Sequence, residues 1–386
     1  KRQVLEALAA EHFQSDSAAF RDRRRFEESR PVVDDYARFR AAVERRRVSW
    51  HAWPGAMADG RIPEGEFDEH ARRYHVYVQW LCHQQLARLA EARSAGAAEL
   101  YLDLPLGVHP DGYDVWRERS SFVPGVSVGA PPDPLAPAGQ DWGFPPLSPQ
   151  GLRETGYRYL TQTMRHHLEH SRALRIDHAA GFHRVYWVPR GLGATEGVYV
   201  DYPAEELYAV HSIEARRRGA LLVGEDLGTI PDSVREGLDR HGIDRMYVLP
   251  FELRPHGDPA IPPVPRGRLA CLDTHDMPPF ASFWAGLDEG SRRSVARALG
   301  LGEPLAREAL AACLEFLARS ESRVVLVNFE DLWLETRPQN EPGTTTERPN
   351  WVRRMRRPFE EARETAEVVE LLGRVDRLRA ERGNGR

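Results

Sequence analysis

The sequence predicts an α/β protein whose strands run parallel and alternate with helices. Four short apolar runs each lead into an acidic residue: Tyr101-Leu-Asp103-Leu-Pro, Leu174-Arg-Ile-Asp177-His178, Leu221-Leu-Val-Gly-Glu225-Asp226 and Leu272-Asp-Thr-His275-Asp276. Runs that are apolar without alternation read as strands buried on both faces, which is the habit of parallel sheets. From residue 98 onward such runs alternate with helical stretches, the pattern of βαβ units. The carboxylates therefore fall at strand C-terminal ends, where open α/β sheets and (β/α) barrels keep their chemistry.

Residues 1–97 come first and read as a helical subdomain. Tyr74, Tyr77, Val78 and Leu81 have the i, i+3, i+4, i+7 spacing of a helix that buries one face. Glu66 and Asp68 suit its start, and Gly96 its stop. Asp16-Ser17 and Asp34-Asp35 read as caps of earlier helices. A catalytic domain follows over 98–356, with strands near 98–106, 172–177, 220–225, 246–251, 268–273 and 323–329. Helices are expected at 151–171, 203–218, 231–240, 290–300 and 305–319, and a last amphipathic helix at 357–382 lies in a C-terminal segment, 357–386. Pro124 to Pro149 is rich in Pro and Gly and reads as a long functional loop, ordered by Trp142 and Phe144. Pro255 to Pro265 is a second loop of this kind.

Composition narrows the function. At 386 residues with 41% hydrophobic content the chain can build a sizeable core. A net charge of -5 offers no bulk attraction to nucleic acid or to an acidic membrane. No apolar run reaches the ~18 residues of a spanning helix. Cys82, Cys271 and Cys313 are odd in number and widely separated, which fits a reducing cytoplasm. Lys1 is the only lysine, so Schiff-base chemistry and a phosphate-loop nucleotide site are excluded.

Several carboxylates at strand ends suit sugar chemistry. Arg175 and Asp177 are two apart in a strand and share a face, so the guanidinium is expected to keep Asp177 ionised, as a nucleophile at an anomeric carbon must be. Glu225, bounded by Val223 and Gly224, is expected to be partly buried and to act as general acid. Asp276 is placed to stabilise an oxocarbenium-like transition state, with His178 and His275 as donors to sugar hydroxyls.

These motifs resemble those of the amylomaltases, the 4-alpha-glucanotransferases or disproportionating enzymes related to the α-amylases. The resemblance rests on Arg175-Ile-Asp177-His178, Gly224-Glu225-Asp226-Leu227-Gly228 and Thr274-His275-Asp276. It extends to Gly129-Ala-Pro-Pro-Asp133 with Gly139-Gln140-Asp-Trp142-Gly143, Tyr186-Trp187-Val-Pro189, and Asn340-Glu-Pro342-Gly343-Thr344 leading to Asn350-Trp351. It implies a TIM (β/α)₈-type barrel and a retaining transfer of α-1,4-glucan segments from a donor to a glucose or maltodextrin acceptor, without cofactor or metal. Asp177 becomes the nucleophile, Glu225 the acid/base and Asp276 the transition-state stabiliser. Gln140 and Trp142 fall in the acceptor loop, Asp103 supports the site, and Asn340 binds substrate. Met277 stands where many relatives carry Asn, so a polar contact beside Asp276 is either missing or supplied by another segment. Six strand candidates fall short of eight, and the first two strands of the family have no counterpart. The resemblance thus implies an N-terminally truncated, incomplete barrel with the strands at 98–106 and 323–329 as its edges. An α-amylase-type hydrolase and an inactive glucan-binding fragment are the alternatives.

Two further motifs compete. His166-His-Leu-Glu169-His170 fits the H-x-x-E-H pattern of a zinc protease, but it lies on an amphipathic helix and the sequence supplies no third ligand. Arg353-Arg-Met-Arg-Arg357 reads as solvated surface rather than a nucleic-acid patch.

Overall fold

The computed structural model describes residues 1–14, 16–92, 99–133, 136–344 and 346–383. The chain divides into two compact units, Lys1–Leu222 and Val223–Arg386. None of the described helices is long and apolar enough to cross a membrane.

The first unit opens on helices Arg2–Gln14, Ala18–Ser29, Pro31–Arg46 and Glu69–Ala92. Ser17 caps the second of these, its hydroxyl accepting the Phe20 N–H at 3.1 Å, and Asp68 caps the fourth through the Ala71 N–H at 2.7 Å. Asp34 and Asp35 are not caps. Pro31, whose fixed φ suits a first helical position, starts that helix three residues earlier, and Asp34 instead pairs with Arg38 and Arg72. The helix Glu69–Ala92 buries Val76, Tyr77 and Trp80 with Leu81 packed against them, so Tyr77 and Leu81 of the expected face lie on the core while Tyr74 and Val78 are only partly buried. The difference is Trp80, whose indole is buried because its N–H reaches Asp22 at 2.9 Å. The expected stop at Gly96 lies outside the described residues.

Six strands follow in this unit: β1 (Tyr101–Leu104), β2 (Val126–Ala130), β3 (Gln140–Asp141), β4 (Ala173–Ile176), β5 (Arg184–Pro189) and β6 (Val198–Asp201). β1 and β4 are parallel, with Asp103 opposite Arg175. β3, β2, β5 and β6 form a separate antiparallel sheet in that order. The stretch from 124 to 149 is thus not simply a loop, because β2 and β3 lie within it; strands this short and glycine-bearing leave little periodicity to read. Gly129 is required there, since a Cβ would lie 2.1 Å from the Gln140 carbonyl oxygen. The helix expected at 151–171 is two, Pro149–Glu154 and Arg158–His170, broken at Gly156 and Tyr157, both with positive φ.

β7 (Leu221–Gly224) carries the chain into the second unit, which holds β8 (Asp244–Val248), β9 (Arg268–Cys271) and β10 (Val324–Val325). β8 pairs with β7 and β9, and β10 with β9, all parallel. The strand expected at 246–251 ends at Val248 because Pro250 falls in a short helix, Leu249–Glu252. The core of this unit joins Tyr247, Ala270 and Leu272 to Trp284 and to Leu310, Leu314 and Leu317 of helix Ala306–Ala318. Leu371 and Val375 of helix Ala366–Gly383 complete it. The parallel strands follow the order β1-β4-β7-β8-β9-β10, six strands of an incomplete (β/α)₈-type barrel. β1 and β10 end that order, as the sequence predicts for the strands at 98–106 and 323–329.

Arg353 is not solvated surface. It is mostly buried against Glu330, with two nitrogens 2.8 and 2.9 Å from its carboxylate oxygens.

Candidate active site

In the first unit the residues predicted from β1 and β4 meet as charges. Nη1 of Arg175 lies 2.8 Å from Oδ1 of Asp177 and donates to both oxygens of Asp103, at 2.8 and 2.9 Å. Strand register causes this: Asp103 and Arg175 are Cα partners, and Asp177 is two residues beyond Arg175 on the same face. The Asp177 N–H also donates to the Leu104 carbonyl at 3.0 Å, extending the β1–β4 ladder. The arginine is nearly buried while both carboxylates stay partly open, so its charge is committed to orienting them.

His178 takes a left-handed conformation, φ 48°, which few non-glycine residues adopt. It turns the chain sharply after Asp177, and its ring meets the edge of Trp142 at 5.6 Å. Burial pushes its imidazole below the usual histidine range, so it is neutral near pH 7. The Trp142 indole N–H donates to the Gln140 side chain at 3.1 Å, and its ring stacks at 6.2 Å on Phe144. Gly107 leaves room for Phe144, since a Cβ there would lie 2.0 Å from its ring. Asp103, Arg175 and Asp177 thus form one group, and Gln140, Trp142 and His178 another.

In the second unit Glu225 leaves β7 partly buried, one oxygen accepting the Leu227 N–H at 2.7 Å. Its neighbour Asp226 is buried and fixed by Arg245, 2.7 Å away, and by the Met246 N–H at 3.1 Å. Consecutive acids therefore divide the work: Asp226 anchors the turn and Glu225 is presented. After β9, Asp276 lies 3.1 Å from Nε2 of His275 and accepts a hydrogen bond from the Asn340 side chain. Asn340 supplies the polar contact that Met277 does not.

The sequence reading missed the groups that brace this segment. Asp273 accepts from the Asn328 side chain at 2.9 Å, and Asp331 accepts the Phe280 N–H at 2.8 Å. Both acids are buried, and each acts on the other's titration. Burial, together with the charge of Asp273, pushes Asp331 up to about 8, and burial raises Asp273 to about 6. The pair shares a proton that ties the start of the Thr274-His275-Asp276 turn to the segment after β10. Trp351 closes the Asn340 to Asn350 motif; its indole, 60% exposed, lies 5.9 Å from the His275 ring. A tryptophan directly after Asn350 was the available signal.

The raised acids make a stability prediction. The folded state holds their proton more tightly than the unfolded chain, so this stabilisation is full below the ordinary aspartate range and lost as pH rises through about 8. One proton corresponds to a slope of at most ~1.4 kcal/mol per pH unit. Urea unfolding at pH 6, 7 and 8 should give a stability that falls more steeply for the wild type than for Asp331→Asn. Parallel curves for the two proteins would refute the shared proton.

The family model described as 4-alpha-glucanotransferase matches residues 1–360. The chain belongs to the 4-alpha-glucanotransferase family. A 4-alpha-glucanotransferase of Mycobacterium tuberculosis is 36% identical over 376 residues, covering 86% of this chain and 51% of that protein. One from Haemophilus influenzae is 32% identical over 324 residues, covering 74% of this chain and 46% of its own length. The chain spans about half the length of these curated relatives. Among solved structures, amylomaltase from Corynebacterium glutamicum superposes with a TM-score of 0.82 at 27% identity, covering 98% of this chain and 58% of that one. Amylomaltase from Streptococcus agalactiae, solved with acarbose, gives a TM-score of 0.84 at 21% identity, with 97% and 78% coverage, and shares the fold.

Proposed function

We propose that this chain carries the catalytic carboxylates of a 4-alpha-glucanotransferase, moving α-1,4-glucan segments between maltodextrins. The observation that carries the reading is the salt bridge of Arg175 to Asp177 directly after β4, which aims a carboxylate where a retaining enzyme needs its nucleophile. Family membership supports it, as do Glu225 after β7 and Asp276 after β9. The acarbose carried by the Streptococcus agalactiae relative is a glycoside ligand of the class proposed.

In the proposed cycle Glu225 gives its proton to the departing O4 of the donor while Asp177 attacks the anomeric carbon, forming a glycosyl-enzyme of inverted configuration. The released glucan leaves, an acceptor takes its place, and Glu225 removes the proton from the acceptor 4-hydroxyl. Attack of that oxygen breaks the bond to Asp177 and restores the α linkage. Asp276, held by Asn340 and His275, stabilises positive charge at the reacting sugar in both steps. His178, neutral, is a hydroxyl partner, and Trp142 offers an indole face for a pyranose of the acceptor. Cys82, Cys271 and Cys313 are free thiols, which suits a reducing compartment such as the cytoplasm.

Transfer and hydrolysis differ only in what captures the glycosyl-enzyme. Incubated with maltotriose, the protein should yield glucose and a ladder of longer maltodextrins with no increase in reducing ends. A steady increase in reducing ends without longer products would establish the α-amylase-type alternative. No change in the maltotriose would leave the glucan-binding fragment.

A further inference from the structure

The stretch His166-His-Leu-Glu169-His170 has no part in the proposed glucan chemistry. It occupies the end of helix Arg158–His170, and in the first unit a residue from helix Glu69–Ala92 meets it. Nδ1 of His83 lies 3.0 Å from Nε2 of His170. The Oε2 of Glu169 lies 4.0 Å from the same Nε2. One donor atom from each of these three residues falls within 4.8 Å of the other two.

We propose that His83, Glu169 and His170 bind one divalent transition-metal ion of the zinc class, through Nδ1, Oε2 and Nε2 respectively. Two imidazoles and one carboxylate are a zinc donor set. A tetrahedral ion with donors ~2.0–2.1 Å away needs donor pairs ~3.3 Å apart; the two pairs that include His170, at 3.0 and 4.0 Å, bracket that value, and the third lies within 4.8 Å. Rotation of the Glu169 carboxylate toward His83 would seat the ion.

The surroundings of the three residues agree with this geometry. Arg30 bonds to Oε1 and leaves Oε2 toward His170, so it orients the ligand as an outer partner does, while its charge weakens the affinity. All three residues line a cavity of about 1120 Å³ in the first unit, through which the ion can enter and water can take the fourth position. His166 is not among the ligands. The H-x-x-E-H spacing thus contributes only its last two named residues, and the third comes from a helix the motif does not include.

The test is zinc binding by the full chain, stripped with a chelator and titrated with zinc chloride against a chromophoric indicator. The wild type should take up one equivalent and melt at a higher temperature when loaded. His83→Gln and Glu169→Gln should each bind at least tenfold more weakly and lose the melting shift, with helical content unchanged by circular dichroism. His166→Gln should bind as the wild type does. X-ray absorption of the loaded wild type gives a reading that needs no variant, with two imidazoles and oxygen donors expected. The proposal is overturned by no saturable uptake, by uptake that survives in both His83→Gln and Glu169→Gln, by loss in His166→Gln, or by sulfur ligation from the exposed neighbour Cys82.

Discussion

Asp177→Asn is expected to abolish glucan transfer while leaving the protein folded. The amide keeps the shape of the carboxylate but cannot form the covalent bond, so the first displacement loses its nucleophile. The loss should be a factor on the order of 10⁴ or more, about 5 kcal/mol of transition-state stabilisation. Stability should change little, for a reason visible in the ion pairs. Arg175 still has Asp103 at 2.8 and 2.9 Å, and the asparagine oxygen can still accept from Nη1. The nearly buried guanidinium is therefore not orphaned, and the penalty of an unpaired buried charge does not arise. Initial transfer rates on maltotriose, with thermal melts of both proteins, separate the two effects. Near-normal turnover in the variant would remove Asp177 as nucleophile, and a collapsed melting temperature would make it a structural residue.

Much of this architecture could be read from the sequence because parallel strands are apolar on both faces. The run at Leu221–Gly224 stands out from its surroundings for that reason, and the acid after it is easy to assign; Leu174-Arg175-Ile176 breaks the pattern with an arginine two residues before Asp177. The antiparallel sheet was hidden by the opposite circumstance. Its strands β2 and β3 contain glycine and polar residues, and they are set by a close backbone approach at Gly129 that no periodicity records. The broken helix at Gly156-Tyr157 was missed because Tyr157 has no sequence preference for its positive φ.

At the candidate site the division is similar. Contacts local in sequence, or fixed by register, such as Asp103 with Arg175, followed from placing the strands. Contacts made by distant segments did not: Asn340 to Asp276, Asp331 to Asp273 and His83 to His170 are 64, 58 and 87 residues apart in the chain. The histidine pair makes the point most clearly. The sequence motif raised the possibility of a metal and lacked a third ligand, which only the packing of two helices supplies.

Glu225→Gln should separate the two roles of its carboxyl group. Its neighbour Asp226 holds the turn through Arg245 and the Met246 N–H, so the amide should sit where the acid sat. A natural glucan has a poor leaving group that must be protonated as the bond breaks, and loss of a general acid costs about 10²- to 10⁴-fold in rate. An α-maltosyl fluoride needs no such proton, so the variant should form the glycosyl-enzyme from it at a rate much closer to that of the wild type. The second step still requires a base for the acceptor hydroxyl, which glutamine cannot provide. The intermediate should therefore accumulate, and mass analysis of peptides should find the added sugar on the segment containing Asp177. Azide, a nucleophile that needs no deprotonation, should release it with a second inversion as an α-glycosyl azide. Equal losses on the glucan and the fluoride would refute the acid role of Glu225. Sugar attached to a peptide other than that of Asp177 would instead leave Glu225 as acid and reassign the nucleophile.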